Sequence, residues 1–344
     1  MRRRGGVVRR GGAAVLGLVA ALTACSRPLD VPLTPLPGAD LFAVSDVDGV
    51  PVVVGIDVDE PTAVATARVL RGRGDVHASS VVGVGPDGGA VLSWSGSGAT
   101  TSFVTVGAAG TDVRETGVGI DTGLAASLGD TVLALLPVLG GDGARLRRAS
   151  LADGEDLGDV EVGLVPQALT GRPGAGFLVA SWSGGRLALQ TVGLDGTAGP
   201  VERRDLGPVD VRAVTWAQDG VVVAAAAQGP LPEPAPIALP DGGSVDVRVE
   251  RVGPATAFVS VTPDAIAYDV TIDGGPGVAV RDRSTGHEVT FPSLRDESVA
   301  GLALTADGFV AVLGTTTVLV RDPGSGEVAS VRLPGPSSTA WGSR

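Results

Sequence analysis

A turn that recurs seven times, strands of two polarities and the near absence of helical periodicity predict an all-β fold: a seven-bladed β-propeller of four-stranded antiparallel blades. The turns are Asp48-Gly49, Asp87-Gly88, Gly129-Asp130, Pro173-Gly174, Asp219-Gly220, Asp264-Ala265 and Asp307-Gly308. After a shorter first interval they return about every 44 residues, the repeat of a four-stranded blade. Ser93-Trp94-Ser95-Gly96 recurs as Ser181-Trp182-Ser183-Gly184, 88 residues on, or two such periods. Between turns, short runs of Val, Ala, Leu and Thr alternate with Gly, Asp and Pro, the punctuation of strands and hairpins.

In chain order, residues 1–24 read as a signal peptide, 25–38 as a Pro-rich tether, 39–336 as the propeller and 337–344 as a polar tail. Arg2, Arg3, Arg4, Arg9 and Arg10 form a positive start, and Gly11 to Ala21 is small and apolar. That run is shorter than the about 20 residues a membrane span needs, so it predicts a cleavable export segment. Gly11-Gly12-Ala13 lack the bulky apolar residues of a twin-arginine signal, so general secretion is expected.

Leu22-Thr23-Ala24-Cys25 resembles the bacterial lipoprotein signature. The resemblance implies cleavage after Ala24 and lipidation of Cys25, the only cysteine in the chain. Acylation would leave no thiol for a disulfide, and two acyl chains suffice for stable anchoring. The expected location is extracytoplasmic, on the outer face of the cell membrane.

All 26 basic residues are Arg, and the chain has neither Lys nor Asn. Both missing residues use A/T-rich codons, so the bias points to a GC-rich genome such as an actinobacterium's. Without the signal peptide, 21 Arg face 38 acids, a formal charge of −17. Such a polyanion is repelled by nucleic acid and by anionic headgroups.

Pro28, Pro32, Pro35 and Pro37 make the tether extended and semi-rigid. The strand after each turn is apolar on both sides, as in Thr131 to Leu136, Phe177 to Ala180, Val221 to Ala227 and Phe309 to Leu313. Such strands need cover on both faces. The last strand of each unit is charged: Val245 to Glu250 alternates, and Val201 to Asp205 reads as an outer edge that discourages edge pairing. Thr62 to Leu70 has a helix-like spacing, but its Val and Thr content favours a strand.

Val214 to Gly220, Ser260 to Asp264 and Ala303 to Gly308 resemble the "(F/W)-S-P-D-G" turn of bacterial TolB-type, WD40-like propellers. Val280 to Gly286 and Val320 to Gly326 are similar to the "V-x-D-x-x-T/S-G" turn of YVTN-type propellers. In such turns Asp bonds backbone amides and Gly takes a positive φ. The resemblance implies a fold and no activity, because propellers host many functions.

The candidate chemistry is sparse. Gly83 to Gly88 matches G-x-G-x-x-G, but a strand rather than a helix is expected to follow, so it reads as a blade turn. His77 and His287 lie about five blades apart, with no triad spacing, and read as solvent-facing. Asp46-Val47-Asp48 and Asp57-Val58-Asp59-Glu60 each supply only part of a calcium loop. Asp153 to Asp156, with Asp159 and Glu161, reads as a solvated edge. Trp94, Trp182, Trp216 and Trp341 read as packing residues.

The most distinctive loop is Gln228 to Pro236, with Pro230, Pro232, Pro234 and Pro236, placed between the second and third strands of blade five. A pre-extended loop loses little entropy on docking. The sequence thus predicts a monomeric, non-enzymatic, lipid-anchored binding platform. It carries no catalytic, cofactor or metal site, and its expected partner is another envelope protein. The alternative is a propeller lyase or lactone hydrolase with polar residues such as Gln167 and Arg212 converging at the central channel.

Overall fold

The Val, Ala and Leu runs fold as strands, and among the described residues there is no helix. The computed structural model describes residues 39–48, 50–60, 64–68, 78–84, 90–95, 101–106, 113–120, 124–136, 143–217, 219–294, 297–305, 307–337 and 342–343. The signal peptide, Cys25, the tether, His77 and Trp341 lie outside them.

β1 (Leu41–Val47), β2 (Val50–Ile56) and β3 (Val64–Arg68) open the series. β4 (Ala78–Val84), β5 (Ala90–Ser95), β6 (Thr101–Val106) and β7 (Val113–Ile120) follow. Next come β8 (Ala125–Leu128), β9 (Thr131–Leu135), β10 (Ala144–Ser150) and β11 (Asp156–Val162). β12 (Ala168–Arg172), β13 (Gly176–Ser183), β14 (Arg186–Val192) and β15 (Glu202–Asp205) form a simple antiparallel meander. β16 (Val209–Ala217), β17 (Gly220–Ala227), β18 (Ala235–Ala238) and β19 (Ser244–Arg251) make the next sheet. Two further meanders are β20 (Val259–Val261), β21 (Ala265–Ile272), β22 (Gly275–Asp282) and β23 (Glu288–Pro292), then β24 (Gly301–Leu304), β25 (Val310–Leu313), β26 (Thr317–Arg321) and β27 (Val328–Arg332). β28 (Gly342–Ser343) returns to pair with β1.

The sheets pack face to face in chain order, and the second strand of each supplies much of the seam. Leu133 and Leu146 meet Leu169 and Phe177; Leu178 and Leu189 meet Val214 and Val223. Val278 and Phe291 meet Leu304 and Val312. Leu313, Val320 and Val331 of the β24–β27 sheet cover Leu41, Val54 and Ile56 of the first. Each such side chain contributes roughly 1.5–3 kcal/mol on burial. One seam therefore outweighs any exposed ion pair, worth about 1 kcal/mol at most.

Four expectations need correction. The first concerns residues 337–344, read as a polar tail. Ser337 bridges Ser45, its hydroxyl donates to the Val44 carbonyl at 2.9 Å, and Gly342 and Ser343 pair with Phe42 and Leu41. Gly342 and Ser343 complete the β1–β3 sheet by pairing the otherwise open edge of β1.

The second follows from it. With β28 ahead of β1, the turn after Asp48 joins the second and third strands of its sheet, whereas the later turns join the first and second. That phase shift accounts for the short first interval.

Third, strict antiparallel pairing fails in two places. β4 and β8 pair in parallel at Gly83↔Ser127 and Val84↔Leu128, fusing two four-strand groups into one eight-stranded sheet. A Cβ on Gly83 would stand 2.2 Å from the Ser127 carbonyl oxygen, so only glycine allows that approach.

Fourth, Val245 to Glu250 does not end its unit. The sheet order is β16-β17-β19-β18, with β17 and β19 parallel. Proline has no N–H for a ladder and belongs on an edge, so β18, with Pro236, takes the outside. β19, which carries a full set of donors, takes the inner place.

Candidate binding face

The two ends of the sheets use their polar residues differently. At the tight-turn end, the Asp282 carboxylate accepts from Ser284 N (2.9 Å), Ser284 Oγ (2.7 Å) and Thr285 N (2.8 Å). The Thr285 amide, with help from Ser284, holds the Asp282 carboxyl at about 2. Asp322 does the same for Gly324 and Ser325. Gly286 and Gly326 take φ of 72°, as such turns require.

The same end carries a buried ion network across one seam. Arg283, with 5% of its side chain exposed, forks onto Asp219 at 3.0 and 3.2 Å. It also donates to the carbonyls of Thr262 (3.0 Å) and Pro263 (2.9 Å), and pairs with Glu250 at 3.3 Å. Arg248 reaches Asp219 at 3.0 Å, and Arg281 reaches Glu250 at 3.4 Å. Burial tends to raise the Asp219 carboxyl, but the bond and charge of Arg283 reverse this and hold it below the usual range. Burial, then the Glu288 carboxylate bonded to its hydroxyl, push Tyr268 well above the ordinary phenol value.

At the opposite end lies the segment from Gln228 to Pro236. It does not simply join the second strand to the third position. It crosses the end of β19 to reach the sheet's outer edge, and its last two residues, Ala235 and Pro236, are already in β18. Two guanidinium groups hold its ends. Arg251 donates to the Ala227 carbonyl and, at 2.6 Å, to that of Gly229. Arg204, from the neighbouring sheet, donates to the Ala235 carbonyl at 2.8 Å and to that of Pro236. The Glu202 carboxylate accepts from Ala238 N at 2.9 Å. Gln228, Pro230, Glu233 and Pro234 stay exposed between these clamps.

Beside it, the β13–β14 hairpin and β15 bound a cleft of about 480 Å³, lined by Trp182, Arg186, Ala188, Arg203 and Arg204 among others. Arg186 and Arg203 are exposed, and among the described residues neither makes an ion pair within 4.0 Å. Trp182 packs with Trp216 into one seam, where Arg172 stacks 5.6 Å from the Trp216 ring centre. These two tryptophans are packing residues, as expected; the Trp94 side chain is outside the description.

The remaining candidates do not converge. Gln167 accepts from Trp182 N at 2.5 Å. Arg212, on a bulge of β16, pairs with Asp210 at 2.6 Å. His287 is exposed, and its N–H donates to Thr285 Oγ1 at 3.2 Å. After Gly83 and Val84 the next described element is the strand β5, which gives no helix for a dinucleotide. Asp57 caps Asp59 and Glu60. Asp159 pairs with Arg147 at 3.0 Å on an exposed edge. Among the described residues, no three His, Cys, Asp or Glu are grouped to hold a metal. Sequence reading misses the free cations of the cleft, since Arg203 sits in a run that reads only as a charged edge.

No protein-family model and no curated protein matches the chain. Among solved structures it is similar to the hydrazine synthase of Kuenenia stuttgartiensis at 15% identity and TM-score 0.47, over 74% of this chain and 80% of that one. It is similar to TolB from Acinetobacter baumannii at 14% and 0.45, over 94% and 69%. The β-propeller domain of the trilobed protease from Pyrococcus furiosus, described as having an open velcro topology, gives 10% and 0.44, over 75% and 84%. These neighbours include propellers, but at such values they carry no argument; the strand pairing carries the fold.

Proposed function

We propose that this chain is a seven-bladed propeller, closed by β28 and held on the outer face of the cell membrane by acylated Cys25. It acts without catalysis as a platform for another envelope protein. The observation that supports this reading most is the doubly clamped Pro-rich crossover. A segment fixed before binding loses little freedom on docking, and exposed prolines present a rigid, extended surface.

The test is capture of partners from membranes by the anchored protein and by a length-preserving variant, Pro230→Gly with Pro232→Gly and Pro234→Gly. Loss of a specific partner from the variant supports the platform; equal recovery removes the crossover from the account. Anchoring has its own check. Cys25→Ala should abolish lipid labelling and release the protein or leave it unprocessed. A matured variant that stays on the membrane after a salt wash would overturn the lipid anchor.

A further inference from the structure

The cleft next to the crossover has a more specific chemistry. In a chain of net charge −12, with 38 acidic residues, a guanidinium does not lack partners for want of carboxylates. Yet Arg186 and Arg203 stand exposed on one rim without an ion pair among the described residues. Their register is informative. Arg186 lies opposite Asp205, and Ala188 opposite Arg203. The two arginines are therefore diagonal neighbours on one face of the sheet, with Cβ atoms roughly 7 Å apart. Alternate residues of an extended chain are separated by about the same distance. Asp205, the one carboxylate on this rim, has an oxygen engaged by Gly207 N at 2.9 Å.

The strand that carries Arg203 adds a second observation. β15 pairs with β14 alone and is the outer edge of its sheet. Edge strands accept an added strand through their free backbone groups. On the cleft face Arg203 and Arg186 outnumber the single Asp205, and that positive excess favours an acidic strand over a basic one.

Resting on the platform reading above, we infer that this cleft docks an extended acidic peptide of the partner protein. The peptide runs along β15, with carboxylates at alternate positions forking onto Arg186 and Arg203. Arg–carboxylate forks of this kind are directional as well as strong. Ala188, with Ser181 and Ser183 on the same face, lines the cleft beside the two arginines.

The probe is a short fluorescent peptide of alternating Glu and Ala, with alternating Gln and Ala as its neutral counterpart. Both are titrated against the detergent-solubilised full chain by anisotropy. The Glu peptide should bind and the Gln peptide should not. Arg186→Gln or Arg203→Gln should each weaken binding about tenfold, with the melting temperature unchanged. Arg332→Gln, an exposed arginine on β27, should leave binding intact.

Equal binding of the two peptides would overturn the inference, as would full binding by the double Arg186→Gln, Arg203→Gln variant. Inorganic phosphate bound as tightly as the peptide would also overturn it, in favour of a small-anion site. Partner capture separates this idea from the platform. If membranes still yield a partner to a chain that ignores the acidic peptide, the cleft is wrong and the platform stands. If the intact chain captures no specific partner, the platform itself falls.

Discussion

The seam between the β16–β19 and β20–β23 sheets and the cleft beside β15 both hold several arginines, yet they use them in opposite ways. At the seam, Arg248, Arg281 and Arg283 all meet carboxylates, and Arg283 is buried by doing so. Beside β15, Arg204 is turned to backbone carbonyls, while Arg186 and Arg203 are left to solvent. Charge that is already neutralised holds sheets together and attracts nothing further. Charge left open adds little to stability and is available to a ligand. The difference separates a structural end from the proposed binding end.

The comparison is broken most severely at Arg283. Arg283→Met should leave Asp219 only Arg248 and Glu250 only Arg281 and cost about 2–4 kcal/mol, since removing the most buried member of an ion cluster leaves its carboxylates poorly compensated. The lower part of that range is expected, because Asp219 keeps 33% of its side chain exposed. Arg283→Lys should recover little, since an ammonium cannot fork onto Asp219 and two carbonyls together. Urea unfolding followed by tryptophan fluorescence measures both. A change under about 0.5 kcal/mol, the size of an ordinary surface substitution, would show that the network is ornamental.

Acid should sharpen the same contrast. The Asp219 carboxyl is held below its ordinary value of 3.8 in the folded chain. Its contribution is therefore complete above that value and is lost as pH falls through the depressed one. The gap in urea midpoint between intact protein and Arg283→Met should hold steady from neutral pH to about 4, then narrow. A gap that narrows already between pH 7 and 5 would assign the effect to other groups.

The smaller effects belong to the proposed binding end. Replacing Pro230, Pro232 and Pro234 with Gly loosens the unfolded chain more than it alters contacts, and should cost about 1–2 kcal/mol in all. A shorter Gly-Ser replacement of the whole segment would be a poorer tool. It would remove the first half of β18 and the carbonyls that Arg204 grips. Arg186→Gln with Arg203→Gln should shift stability least, within about 0.5 kcal/mol. A large loss there would mean that the cleft is structural after all.

The sequence discloses the regular parts of this fold and hides the exceptions. Asp–Gly turns and doubly apolar strands are local signals, and β9, β13, β17 and β25 lie where they indicate. The Pro-rich segment is legible as a loop. Its crossing is not, because which of β18 and β19 lies inside depends on competition for the same edge of β17. Arg283 lies within the Val280 to Gly286 turn, and nothing local marks its partner Asp219, 64 residues away. β28 has two small residues and no hydrophobic pattern, so nothing in Gly342-Ser343 announces a strand. The cleft needed the register of β14 on β15 before two separate arginines became one pair of charges.

The pairing of β28 with β1 also makes the order of synthesis matter. Leu41 and Ser343 are about 300 residues apart, and joining ends that distant is an entropic step that grows slowly with length. Every other sheet can form from strands made within a short stretch of chain. The first is not complete without Gly342 and Ser343. A chain made from its N-terminus would stay open along β1 until Gly342 and Ser343 are made. Loss of Gly342 and Ser343 would leave β1 with a bare strand edge, a form that proteases or self-association could single out.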